Sequence, residues 1–229
     1  FAPKNPFITL FSNKNGDYLV KPSQSAMDLW NSQRQGNGFP YDARGSKFTY
    51  KIVNGDPVIM KYLYSSEAVT STVANTKGQW FLYRAAKLHL RYAEAANRNN
   101  HQKIAYAMLN FGIKSAYSPD PVPTDVTNIQ QTMEAFPYDF DARMGDFPNY
   151  RANWHRGAGV RGRAYVTAAG AIGDDMITTE NNIINEDALE LAYEGNRWED
   201  LVRVALRRND PAFLADKVYD KLSKEGNSN

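Results

Sequence analysis

The chain has 229 residues, 42% of them hydrophobic and 13% aromatic, with 27 basic against 25 acidic side chains for a formal net charge of +2 and no cysteine. That is enough apolar matter for a sizeable core in one domain or two small ones, so a disordered chain is excluded. The charges are interspersed, without the like-charged block that tracks phosphates, which argues against nucleic acid as a partner. Zero cysteines exclude disulfides, zinc–thiolate sites, thiol catalysis and lipidation within these residues, and no run approaches the roughly 18 apolar residues of a membrane-spanning helix.

In chain order, residues 1–22 read as loop, punctuated by Pro3, Pro6, Gly16 and Pro22, with a short extended piece at Phe7 to Phe11. A short helix follows over Ser25 to Gln33, with Ala26, Met27 and Trp30 on one side, and 36–45 is loop again. Phe48 to Val53 and Val58 to Tyr64 favour strands separated by Asn54-Gly55-Asp56-Pro57, and Asn-Gly between two such runs signals a hairpin.

Trp80 to Asn97 and His101 to Ala116 read as helices around an Asn99-Asn100 turn, from apolar positions Phe81, Ala85, Leu88, Tyr92, Ala96 and then Ile104, Met108, Phe111. The pair is about as long as one tetratricopeptide unit of roughly 34 residues, which needs neighbours to bury its faces. Residues 117–180 carry prolines and glycines that forbid long regular elements, leaving room for a short helix near Val126 to Ala135. Segments of this kind are commonly functional, and this one holds several aromatics and a histidine. From about Glu180 a helical pattern returns through Ile183, Ile184, Leu189, Leu191 and Tyr193, closing at Glu194-Gly195. A second helix begins at Arg197, with Trp198 as the anchor of the corner and Leu201, Val202 and Ala205 behind it. Asn209-Asp210-Pro211 then caps a last helix to about Leu222, and the tail is expected to fray.

Glu190, Glu194, Arg197, Asp200 and Arg203 resemble a catalytic acid–base set, but their spacing favours structural pairing: Glu194 with Arg197 across a turn, Asp200 with Arg203 along one helix face. His89, His101 and His155 lack a neighbour at zinc-ligand spacing. Asp139, Asp141, Asp146, Asp174 and Asp175 offer oxygens to calcium, yet the loop that would order them is absent. Gly157 to Gly162 imitates a dinucleotide loop without the preceding strand, and Arg161 and Arg163 fit a structural turn better than an anion site. No metal, cofactor or catalytic set is expected. The stronger signal is aromatic: Trp30, Phe39, Tyr41, Tyr150 and Trp154, with His155 beside the last, lie in or near loop-like stretches. Such rings stack on the C–H faces of sugars, and each equally fits a plug beneath a loop.

The string Glu190-Leu191-Ala192-Tyr193-Glu194-Gly195-Asn196-Arg197-Trp198-Glu199-Asp200-Leu201-Val202-Arg203 resembles the C-terminal signature of the SusD/RagB family of surface nutrient-binding lipoproteins. Tyr83-Arg84-Ala85-Ala86-Lys87-Leu88-His89-Leu90-Arg91-Tyr92-Ala93-Glu94-Ala95-Ala96-Asn97 is similar to a helix of the same family. Weaker echoes are Leu29-Trp30, Tyr41-Asp42-Ala43-Arg44, Met60-Lys61-Tyr62, Arg161-Gly162-Arg163 and Asp210-Pro211, while Asp187 and Ala43 depart from the family pattern. The resemblance implies a mainly α fold with a tetratricopeptide-like helix pair, a small hairpin and long loops. It reads 1–229 as the C-terminal part of one SusD-like domain: loop-rich 1–79, helix pair 80–116, irregular 117–180 and C-terminal helices 181–222.

It further implies a non-enzymatic role: capture of an oligosaccharide and delivery to a SusC-like, TonB-dependent transporter barrel in the outer membrane. A lipid anchor would lie outside this segment, and the N-terminal half of the same protein would supply the missing neighbours. The signature is scaffold in that family, not ligand site. An oligopeptide cargo, a tetratricopeptide-type interaction module and a glycan-cleaving enzyme stay open as alternatives.

Overall fold

The computed structural model describes residues 6–14, 16–62, 80–110 and 159–226. The described chain is mainly helical with one two-stranded antiparallel sheet. It divides into two compact units, one drawing on Phe1–Ser32, Tyr41–Leu82 and Ala192–Asn229, the other on Gln33–Pro40 and Tyr83–Leu191.

The first unit opens with helix α1 (Pro6–Phe11) where an extended piece was expected. Pro6 at the first helical position presets the backbone, and Phe7, Ile8 and Phe11 then share the one side that is buried. Helix α2 (Gln24–Asn31) is capped by the Ser23 side chain, which accepts from Ala26 N at 3.2 Å. An irregular helical turn (Arg44–Thr49) leads into β1 (Tyr50–Val53), paired with β2 (Asp56–Ile59) in the register Tyr50↔Ile59 to Val53↔Asp56. Asn54 and Gly55 both take positive φ (54° and 90°), the mirror-image two-residue turn that suits a twisted hairpin. The turn is therefore two residues long, and Asp56 and Pro57 belong to β2. Phe7, Ile8, Phe11, Val58, Ile59, Met60 and Tyr62 make the core beneath.

The second unit is built on α3 (Ala85–Arg98) and α4 (Gln102–Leu109), with Asn100 at φ 64° in the turn between them. Helix α3 starts five residues later than its apolar pattern predicts, and Phe111 to Ala116 of the expected second helix lie outside the described residues. The buried face of α3 also differs from the expected one. It is Ala86, Leu90, Ala93, Glu94, Ala96 and Asn97, whereas Leu88 is exposed. Two stripes compete on this helix, and the small-residue stripe wins because alanines let α4 approach closely. Ile104, Ala105, Met108, Leu109 and Ile183 complete the cluster.

At the end of α4, the buried Asn110 accepts backbone bonds from Gly159 (3.2 Å) and Gly162 (3.1 Å), and its side chain exchanges two bonds with Ala169. A β-carbon on Gly159 would sit 2.7 Å from the Asn110 carbonyl carbon, so only glycine fits this approach. The one-turn helix α5 (Val160–Arg163) follows directly. Helix α6 (Met176–Glu190) begins four residues before the expected Glu180, because Asp175 caps it by accepting from Ile177 N and Thr178 N. The short helix expected near Val126 to Ala135 lies outside the described residues.

The first unit closes with α7 (Arg197–Arg208) and α8 (Pro211–Lys224). As expected, Asp210 caps α8, accepting from Phe213 N at 3.3 Å, with Pro211 at the first position. Among the described residues no helix is long and apolar enough to cross a membrane.

Candidate functional site

The signature string is where charge and burial coincide. Helix α6 stops at Glu190 rather than at Glu194, since Tyr193 (φ 62°) and Gly195 (φ 82°) are both left-handed and unwind the chain. The carbonyls freed by this unwinding are taken up by the Met60-Lys61-Tyr62 stretch. Lys61 Nζ donates to Ala192 O at 3.1 Å and pairs with Glu194 Oε1 at 2.5 Å, and Tyr62 Oη donates to Tyr193 O at 2.8 Å. Glu190 in the second unit pairs with Arg84, whose Nη1 lies 2.6 Å from Oε1 and whose Nη2 donates to the Glu190 carbonyl. Asp200 is buried and holds Arg203 at 3.1 Å, the i,i+3 pair that the spacing anticipates. Glu190, Glu194 and Asp200 are each paired with a cation, an arrangement that orients the backbone around the string.

Trp198 does not anchor this corner. It is 62% exposed, and Leu201, Val204 and Ala205 are the buried side of α7. Burying Asp200 and Val204 together rotates the helix so that Trp198, at the edge of the apolar arc, faces out.

The six candidate ligand residues separate. Trp30 is 2% exposed, its ring centroid 5.8 Å from Tyr50 and 6.4 Å from Tyr193, which makes it a core residue of the first unit. Phe39 is 57% exposed at the base of a tight turn in the second unit, where its carbonyl accepts from Gln35 N at 2.9 Å. Tyr41 is half-buried. Tyr150, Trp154 and His155 lie outside the described residues, as do Asp139, Asp141 and Asp146. Asp174 and Asp175 serve local turns: Asp174 accepts from Ala171 N at 2.7 Å, and bonds from the Thr178 backbone and hydroxyl hold the Asp175 carboxyl below the usual range. Among the described residues no His, Asp and Glu group could hold a metal ion.

Arg161 faces inward, 2.7 Å from the buried Glu186, and reaches Thr167 O and the Gln33 side chain. The structural-turn reading of Arg161 holds for that reason.

One aromatic group escaped the sequence reading. Trp80, assigned there to a helix, instead stacks on Tyr62 (centroids 4.7 Å, planes 10° apart) and Phe7 (5.5 Å, 14°) while staying 42% exposed. Its indole lies 3.9 Å from where a β-carbon of Gly195 would be. No local signal separated Trp80 from the helix, since the observed start at Ala85 follows Arg84 and has no side-chain cap. Compared with known proteins, the chain matches no family model, no curated protein and no solved structure.

Proposed function

We propose that this chain is the C-terminal part of a SusD/RagB-type surface nutrient-binding protein that captures an oligosaccharide and hands it to a TonB-dependent transporter barrel. The observation that carries this reading is the string Glu190 to Arg203 together with Tyr83 to Asn97, in the order the family has them. On this reading α3 and α4 are the tetratricopeptide-like pair, and the ion pairs of Glu190 and Glu194 are scaffold that fixes the chain around the signature. The role is binding without chemistry: a cargo held more tightly in the closed complex than in the open one is delivered by the difference in affinity. Exposed rings such as Phe39 supply stacking, and neighbouring amides and guanidinium groups supply hydrogen bonds to hydroxyls.

The test is calorimetric titration of the protein with a panel of oligosaccharides and a mixed peptide pool, repeated with Phe39→Ala and Trp154→Ala. Sugar binding that weakens in either variant supports glycan capture. Peptide binding alone replaces the cargo with oligopeptides, and release of new reducing ends replaces the binding role with an enzymatic one.

A further inference from the structure

Two Asn-Gly pairs with both residues described, Asn37-Gly38 and Asn54-Gly55, sit in exposed turns, and their hydrogen bonding is opposite. At the first, the Asn37 carboxamide oxygen accepts from Phe39 N at 3.0 Å, and the Gly38 N–H donates to Gln35 O at 2.8 Å. At the second, neither the Asn54 carboxamide nor the Gly55 N–H has a hydrogen bond among the described residues, and nothing lies within 4 Å of where a Gly55 β-carbon would be.

We infer that Asn54 is a site of spontaneous, water-dependent modification to aspartyl and isoaspartyl residues, and that Asn37 is protected from the same reaction. The Gly55 backbone nitrogen attacks Asn54 Cγ. Its N–H proton passes to solvent base, a C–N bond closes the five-membered succinimide, and the Cγ–NH2 bond breaks, the departing nitrogen taking one proton from water to leave as ammonia. Water then adds to either ring carbonyl and reopens the ring, so the net change is asparagine plus water to aspartate or isoaspartate plus ammonium. Glycine makes the nucleophile unhindered at both pairs. The difference is that attack at Asn37 first requires two hydrogen bonds to open, one on the nucleophile and one on the electrophile.

The product matters because the turn joins a hairpin with buried ends. An isoaspartyl link adds a backbone methylene that a two-residue turn cannot hold, and a new carboxylate arrives beside Asp56, whose side chain already shares Asn13 with Val53 O. The register that places Tyr50 opposite Ile59, both buried, is then strained.

The experiment incubates the protein at mildly alkaline pH, folded and in denaturant, and follows the two tryptic peptides Ile52 to Lys61 and Gln35 to Arg44 by mass spectrometry. Isoaspartate is scored by methyl transfer from an isoaspartyl methyltransferase. Dividing each folded rate by its own denatured rate cancels the different preceding residues. Asn54 is expected to react at close to its denatured rate and Asn37 about tenfold more slowly than its own, the scale set by opening bonds of ordinary strength. Equal protection of the two sites, or faster reaction at Asn37, overturns the assignment.

Discussion

The two units share buried ion pairs and differ in what packs around them. The first is packed by rings: Phe7, Phe11, Tyr62 and Trp80 lie within 20° of parallel in the stacked contacts among them, and Trp30 sits against Tyr50 and Tyr193. The second is packed by aliphatic side chains against an alanine-rich face of α3 and fastened by ion pairs. Glu180 and Glu186 on α6 are fully buried and meet Arg98 and Arg161, while Glu190 meets Arg84. Rings contribute by area and tolerate small displacements, whereas a buried ion pair stabilises only while both partners are present. The same signature string runs through both units, with Glu190 paired to Arg84 in the second and Glu194 paired to Lys61 in the first.

The largest effect expected is in the charge-fastened unit. Glu186→Ala strands Arg161 and is expected to cost about 3–5 kcal/mol, read as a fall in the denaturant midpoint. Arg161→Met with Glu186→Leu should recover most of that loss, and failure to do so would mean that the pair does more than satisfy itself. Trp30→Ala probes the ring-packed unit, with an expected loss of roughly 3–5 kcal/mol from the transfer and cavity contributions. If Trp30→Ala instead leaves the melt unchanged, the aromatic core assignment fails.

Tyr193→Phe separates packing from ionisation. Burial, then the neighbouring Tyr50 and Glu225, raise the Tyr193 phenol well above its ordinary value of 10.0. The folded state therefore keeps its proton while the unfolded state releases it. Stability is fully present below the ordinary tyrosine range and declines as pH rises above it. Among the described residues the buried Tyr193 hydroxyl has no hydrogen-bond partner, so Tyr193→Phe should be near neutral at pH 7 and flatten the alkaline decline in melting temperature. Tyr18 and Tyr50 are raised as well and leave a residual slope. The smallest effect belongs to Trp198→Ala, expected within about 0.5 kcal/mol because the ring is exposed. A larger loss would restore Trp198 as an anchor.

What could be read from the sequence was chemistry local to a few residues. The Asn54-Gly55 turn and the Asp210-Pro211 cap each encode one backbone geometry, and both appear where expected. What could not be read was competition between surfaces. Helix α3 carries an apolar stripe through Leu88 and a small-residue stripe through Ala86, Leu90 and Ala93, and only the presence of α4 and α6 decides between them. Trp198 failed for the same reason: hydrophobicity favoured it as an anchor, but the buried Asp200 sets the rotation of α7. For the candidate site, the Asp200–Arg203 pair was legible as neighbours on one helix face. The Lys61–Glu194 and Arg84–Glu190 pairs join residues more than a hundred positions apart, which no local spacing encodes.

The contact between Asn110 and Gly159 has an architectural meaning. The Gly159 nitrogen lies 3.2 Å from the Asn110 carbonyl oxygen, and the Gly162 nitrogen reaches the same oxygen at 3.1 Å. Two described stretches far apart in sequence, 102–110 and 159–163, are thus pinned end to end, and α5 takes its position from the last turn of α4.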